Sequence, residues 1–481
     1  MLILLFLAVP LTASALAVIF PTLGRYLQLI VPAGLIPAAI YLYGYGTVAH
    51  STGLYVGGVA IPFVADRFSA IMIATTAIVA LGANWFAFQT TKQRFYPALT
   101  LMLIAGVNGA LLTADLFNFF VFIEVMLLPS YGLLAMQGGR DRLRAGRVFV
   151  LVNLSASTLL LAGVAFLYGQ VGTANLAALA GAGEVAPIPL AIIVIALCAK
   201  AGTFPVHTWL PRTYPITSAS VMGLFSGLHT KVAVYMLFRI WVVVFDMDAR
   251  WNWLIITVCV ASMLIGGFGG LGEHTLRRII GYQMVNGMPF ILIVFAFCTH
   301  DPQRALAAGI MYALHHMVTI GSLVLTSGAV EEAYGTDRLK KLSGLQEREP
   351  LTAFVFAAGA FSIVGFPPLS GIVGKVLVVF EAARAEQYFV IAIIIIASFG
   401  ALLSMLRAYR EAFWGAPMKN APREARVGAL IAPGAALIAV SFAMFFGAGF
   451  VFDWVQGAAA SLLDVATYSE AVLGPDPIGV V

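Results

Sequence analysis

Three lysines and one glutamate stand where the surrounding chain is apolar. Lys200 follows LAIIVIALCA, Lys231 precedes VAVYMLF, and Lys375 closes GFPPLSGIVGK at 365–375. Glu124 lies inside LFNFFVFIEVMLLPSY at 116–131, and its helical neighbours are Phe117, Phe120, Val121, Leu127, Leu128 and Tyr131. Ionisable groups in apolar membrane segments mark proton relays and ion pathways. Burial disfavours the charged form of a lysine, and a nearby carboxylate favours it. Three lysines facing one deep acid therefore compete for a single counter-charge. The expected arrangement pairs Glu124 with Lys200, and a proton arriving further along weakens that pair. A hundred- to thousandfold change in proton affinity is worth roughly 3–4 kcal/mol. One charge crossing roughly 100 mV is worth about 2.3 kcal/mol. The two are comparable, so a pair that opens and closes could couple proton movement to an ion gradient.

Four histidines, His207, His229, His315 and His316, lie within or at the edges of apolar blocks. Histidine is the side chain best suited to pass protons near neutral pH. His229 is two residues from Lys231, on another helix face, and is expected to bridge the eighth and eleventh spans. Ser362 and Ser370 could hold relay water. Two breakers flank the lysines: Pro205 in CAKAGTFPVHTWLP at 198–211, and Pro367 and Pro368 in GFPPLSGIVGK. Proline frees backbone carbonyls, which survive at membrane depth only against protein or water.

No phosphate loop, dinucleotide fingerprint or cysteine cluster occurs. Cys198, Cys259 and Cys298 all fall in apolar runs and read as structural thiols. No metal site or cofactor is expected, and the chain reads as a transporter component, not an enzyme. Energy must come from an ion gradient or a partner. One deep carboxylate among three lysines suits protons better than sodium, which needs several oxygen ligands.

The elements that must hold these groups are transmembrane helices. Of 481 residues, 61% are hydrophobic and 10% charged, against about 25% charged in soluble domains. Blocks long enough to span a bilayer occupy 2–22, 28–48, 66–90, 96–113, 115–136, 147–170, 187–210, 216–244, 252–271, 276–299, 303–329, 351–382, 387–414 and 428–456. The first reads as an uncleaved span, since Arg25 follows it and no basic stretch precedes it. Of 27 lysines and arginines, nineteen fall in the loops after odd-numbered spans. Five, Arg67, Arg239, Arg250, Arg304 and Arg384, fall on the other side, and the remaining three are the buried lysines. That bias puts the basic side in the cytoplasm and both termini outside. It also accounts for the net charge of +5 without nucleic acid.

The expected fold is thus an all-α polytopic membrane protein of about fourteen helices, broken in spans 7 and 12. The breaks lie five spans apart, in helices of opposite direction, which points to an inverted repeat. The expected division is one membrane domain, 1–456, made of spans 1–3 in 1–95, a first repeat in 96–244 (spans 4–8), a second in 252–414 (spans 9–13) and span 14 in 428–456. Residues 457–481 read as an external tail.

DLFNFFVFIEVMLLPSYGLLA (115–135), AKAGTFPVHTWLPRTYPITSASVMGLFSGLHTKVAVYMLFR (199–239) and GFPPLSGIVGK (365–375) resemble the proton-conducting membrane subunits shared by respiratory complex I and Mrp-type cation/proton antiporters. Within that family, VLVNLSASTLLLAGVAFLYGQVGTANLAALA (150–180) and the His315–His316 pair are most similar to D-type antiporter subunits. The resemblance implies a central Glu124–Lys200 pair, a hydrophilic axis continued by Lys231 with His229 nearby, and Lys375 as the terminal lysine. It implies partners too, the other subunits of a hetero-oligomeric Mrp complex in the bacterial plasma membrane, which exchanges cytoplasmic sodium for external protons. Such subunits commonly carry a lysine four or five residues after the span 11 histidine, where this chain has Thr319 and Ile320. A relay here must then rest on His315, His316 and water. The alternative function is the pump subunit of complex I or a related membrane hydrogenase. A solute carrier would need a site matched to its solute, and a non-conducting scaffold would leave the buried charges without a task.

Overall fold

The computed structural model describes residues 2–52, 60–136, 138–416, 418 and 425–474. Lys419 and Arg423, counted above with the basic side, and the tail residues 475–481 lie outside the described residues. The helices are α1 (Leu5–Ile19), α2 (Pro21–Tyr45), α3 (Arg67–Thr90), α4 (Tyr96–Leu112), α5 (Leu116–Ala135), α6 (Arg140–Val171), α7 (Pro187–Ala201), α8 (Trp209–Thr213), α9 (Ala219–Arg239), α10 (Asn252–Gly269), α11 (Leu276–Leu292), α12 (Pro302–Tyr334), α13 (Leu345–Arg348), α14 (Pro350–Val364), α15 (Ser370–Arg384), α16 (Tyr388–Phe413), α17 (Ala432–Phe446), α18 (Ala448–Leu463) and α19 (Val465–Leu473).

Among the described residues eleven helices are long and apolar enough to cross a membrane. The three other expected spans are the shorter α4 and the first halves of the two broken ones, α7 and α14. Starts and stops follow local chemistry. Proline opens α2, α7, α12 and α14, where its missing N–H costs nothing. Asp66 caps α3 in a reciprocal box with Ser69, and Asp115, Ser218, Thr275 and Asp301 cap α5, α9, α11 and α12. Left-handed Gly202 and Gly365 end α7 and α14 at the two expected breaks. Each break also contains a cis proline bond, Phe204–Pro205 and Pro367–Pro368.

α12 is the shaft of the molecule. Every residue from Ala305 to Val330 is buried, as is all of α9. α12 packs on α9, α3, α11, α14, α15, α17 and α18. The order of neighbours repeats: α4, α5, α6, α7 and α9 pack in succession, as do α10, α11, α12, α14 and α16. The two units meet along a seam of α9 against α12, with α8 and α9 also touching α11.

Two features depart from the sequence reading. Residues Val48–Thr52 and Ile61–Ala65 form an antiparallel hairpin, with Val48 opposite Ala65, in a fold expected to be all-α. Span 14, expected to run to 456, breaks at Gly447, and α18 carries helix on to Leu463. The tail then forms α19, which buries Tyr468 and Val472 and packs on both hairpin strands. Val465, Tyr468 and Val472 recur at helical spacing, so the tail had an apolar stripe to dock.

Candidate functional site

Lys231 sits on the α9 side of the seam and is 1% exposed. Its Nζ lies 2.9 Å from His316 Nδ1 on α12 and donates to Ser226 O at 3.2 Å and Thr230 Oγ1 at 3.3 Å. An ammonium has three donors and here has three acceptors. His316 Nε2 is 3.4 Å from Gln283 O on α11. With the ammonium donating to Nδ1, the imidazole proton sits on Nε2 facing that carbonyl, an assignment made from the network. Lys231 and His316 thus share one hydrogen bond along which a proton can pass between two bases.

Gly287 on α11 makes room for that imidazole, because a Cβ there would overlap His316 Nε2. We expect Gly287→Ala to push His316 off Lys231 and to slow transport by about tenfold or more. Transport at the parental rate by a correctly assembled Gly287→Ala protein would show that this contact is dispensable.

His229 does not join the seam. It lies 2.9 Å from Ser130 Oγ on α5 and stacks on Phe225 at 4.3 Å. Two residues turn a helix by about 200°, so it is Lys231 that reaches the eleventh span, while His229 reaches the fifth. Lys200, in the last turn of α7, donates to Ser157 Oγ at 2.9 Å and Asn153 O at 3.4 Å, both on α6. A narrow void of ≈ 10 Å³ lies against Lys200, Asn153, Trp209 and His229. Its size suits about one water, which would link the lysine to the histidine.

The expected Glu124–Lys200 ion pair is not formed. Among the described residues Glu124 has no ion-pair or hydrogen-bond partner, and its Oε1 is shut from solvent. Glu124 is half-buried on the side of α5 where Phe117, Val121 and Leu128 are exposed. Two α6 groups hold the Lys200 ammonium instead, and the acid acts on it only through space.

On the other side of the seam His315 Nδ1 lies 2.8 Å from Ser370 Oγ and 3.2 Å from Thr319 Oγ1. Ser362 bonds Thr319 at 3.2 Å. Lys375 Nζ donates to Ser398 Oγ and to Val364 O, each at 2.8 Å, and lies 4.8 Å from the centre of the Phe290 ring. Val364 is the last residue of α14, so the break supplies an acceptor that a continuous helix would have used itself. His207 stays apart: it is buried in the first break, stacked near Phe204 at 6.2 Å, and its Nδ1 has no hydrogen-bond partner.

The sequence reading missed a second charged site. Arg239, assigned to an outer loop, is buried at the end of α9 and bonds Asp66 at 2.5 Å. It also faces the rings of Phe68, Tyr235 and Tyr468. Two signals could have found it. Asp66 and Ser69 have capping-box spacing, and Arg239 falls eight residues after Lys231, on the same helix face.

Fixed lysines, histidines and hydroxyls, buried at helix breaks and across the seam of two similarly packed units, mark an ion-translocating membrane protein. Residues 113–401 match the family model described as NADH:quinone oxidoreductase/Mrp antiporter, TM. The chain is 34% identical to the D-type subunit of a Na(+)/H(+) antiporter of Alkalihalophilus pseudofirmus over 94% of each chain. It is 31% identical to the corresponding D-type protein of Bacillus subtilis over 95% of this chain and 94% of the relative. Its structure matches a chain of the Mrp complex from Dietzia sp. DQ12-45-1b with a TM-score of 0.93 and 38% identity, over 98% of this chain and 99% of that one. A chain of respiratory complex I from Thermus thermophilus shares the fold at 24% identity and a TM-score of 0.84, over 97% and 99%. The chain belongs to the membrane-subunit family common to NADH:quinone oxidoreductases and Mrp antiporters.

Proposed function

We infer that this chain is the D-type component of a multisubunit Na+/H+ antiporter, moving protons along the buried axis while the complex exports cytoplasmic sodium. Relatives named as D-type components of Na(+)/H(+) antiporters match nearly its whole length, and the Mrp complex contains a chain of the same fold. The observation that carries the mechanism is the 2.9 Å contact between Lys231 and His316. It joins two bases across the α9–α12 seam between the two units. Lys200, His229, Lys231, His316, His315 and Lys375 form the axis, with Glu124 biasing Lys200 through space. Pro205, Pro367 and Pro368 open the two helices. The positive-inside bias supports a plasma-membrane orientation with the basic side in the cytoplasm and both ends of the chain outside. The five-helix units in 96–244 and 252–414 are the two halves of the pathway.

The test is sodium-driven proton uptake in everted membrane vesicles holding the assembled complex, with and without Lys375→Ala. The substitution removes the terminal carrier and leaves Val364 O without its donor. Exchange should fall to background while the complex still assembles. Exchange at the parental rate would overturn the proton-axis reading.

A further inference from the structure

A pocket of ≈ 250 Å³ opens where the α1–α2 turn meets the α3–α4 connection. Arg25, Lys92 and Arg94 line it, and no carboxylate does. Among the described residues none of these three cations has an ion-pair partner. Arg25 donates to Phe88 O at 2.9 Å and lies 4.9 Å from the centre of the Phe88 ring, which fixes its guanidinium in the wall. α2 starts at Pro21 and α4 at Tyr96, and neither start has a side-chain cap. Pro21, Thr22, Tyr96 and Pro97 all face the pocket, so the positive ends of two long helices meet there. Such an end is a ready place for a phosphate.

Gln28 also lines the pocket and is 1% exposed. Its Oε1 is buried without a hydrogen-bond partner, and its side-chain amide makes no hydrogen bond among the described residues. A buried amide oxygen left without a donor is costly. Beside the pocket runs an apolar groove of ≈ 390 Å³, formed by Val18 of α1, Phe95, Ala98 and Met102 at the start of α4, and Gly132 of α5. Phe95 and Ala98 flank Tyr96 and Pro97 in sequence, so pocket and groove share the first turn of α4.

We propose that these two cavities bind one anionic phospholipid with a hydroxylated headgroup, of the phosphatidylglycerol type. Its phosphate meets the three cations and the two helix starts, and one acyl chain lies in the groove. A phosphodiester only accepts hydrogen bonds, so it answers the cations and leaves Gln28 Oε1 unanswered. A headgroup hydroxyl supplies the donor that this oxygen lacks. A free phosphate would fill the pocket and leave the adjoining apolar surface bare. The site lies in the loops after the first and third spans, on the side with the basic excess, where lysines and arginines draw anionic lipid. The first two spans bury the smaller part of their length within the chain. A lipid seated here would tie α1 and α2 to α3, α4 and α5.

The experiment uses the assembled complex, purified in neutral detergent and stripped of loosely held lipid. Phosphatidylglycerol, phosphatidylmethanol of the same chains and inorganic phosphate are added separately, and binding is read by native mass spectrometry. Arg25→Gln, Lys92→Gln and Arg94→Gln together should weaken phosphatidylglycerol binding about a hundredfold, near fivefold for each charge. Gln28→Leu should weaken it about fivefold and leave phosphatidylmethanol, the same diester without headgroup hydroxyls, unchanged. Val18→Trp fills the groove and touches no charge. It should weaken both lipids at least about tenfold, and it serves if the triple variant fails to assemble. Parental phosphatidylglycerol binding by the triple variant or by Val18→Trp would overturn the site. Parental binding by Gln28→Leu would overturn the headgroup assignment. Inorganic phosphate held as tightly as the lipid, and indifferent to Val18→Trp, would make this a phosphate site and overturn the lipid.

Discussion

Replacing Lys231 with methionine should cut sodium-driven proton uptake at least about a hundredfold, the scale on which a positioned proton carrier contributes. Methionine matches the lysine in length but can neither carry charge nor reach His316 Nδ1. The protein should still assemble. Its penalty is one buried imidazole nitrogen without a donor, about 1–3 kcal/mol. Removing the cost of burying an ammonium offsets much of that. The sharper variant is Lys231→Arg. A guanidinium keeps the positive charge but does not release a proton, so it should fail as completely as methionine. Exchange by Lys231→Arg near the parental rate would mean that the position needs charge alone, and the transfer across the seam would be refuted.

Asp66→Asn should destabilise the assembled protein by about 3–5 kcal/mol, because it strands the Arg239 guanidinium in a buried site. Asparagine still caps α3, so the loss isolates the ion pair from the helix start. Arg239 also faces Tyr468 of α19 at 5.2 Å, so the strain should loosen the tail helix from the hairpin first. Adding Arg239→Met to Asp66→Asn removes the stranded charge and should recover most of the stability. Thermal melting of the detergent-solubilised complex, with limited proteolysis of the tail, reads both effects. Equal melting of the single and double variants would show that the pair does not hold this end together.

Much of this architecture could be read from residue order because the bilayer leaves few choices. Apolar blocks of span length become helices, and Pro205 and Pro367–Pro368 mark where two of them must break. Lys200, Lys231 and Lys375 were identifiable because an ammonium in an apolar block has no other account. The connections among them were less legible. Which nitrogen meets which oxygen depends on helix rotation to within about 20°, and a single chain does not encode that visibly. So His229 was aimed at span 11 and lies against Ser130 on α5, while Lys231 took the place expected of it. Glu124 was matched to Lys200 by charge, but Ser157 and the Asn153 carbonyl were nearer. Arg239 was misplaced because it ends a span, where arginine usually reaches water.

Lys375 rests on the carbonyl of Val364, which the interruption between α14 and α15 leaves free. A peptide carbonyl takes up no proton at physiological acidity. The charged group nearest the other terminus, Glu124, is a side-chain carboxylate without a hydrogen-bond partner among the described residues. One terminus therefore faces a side-chain charge, and the other a carbonyl dipole fixed by the course of the main chain. On the proposed axis the two termini should therefore fill unequally at equal proton concentrations. On that reading, the asymmetry of the pathway follows from where a helix stops.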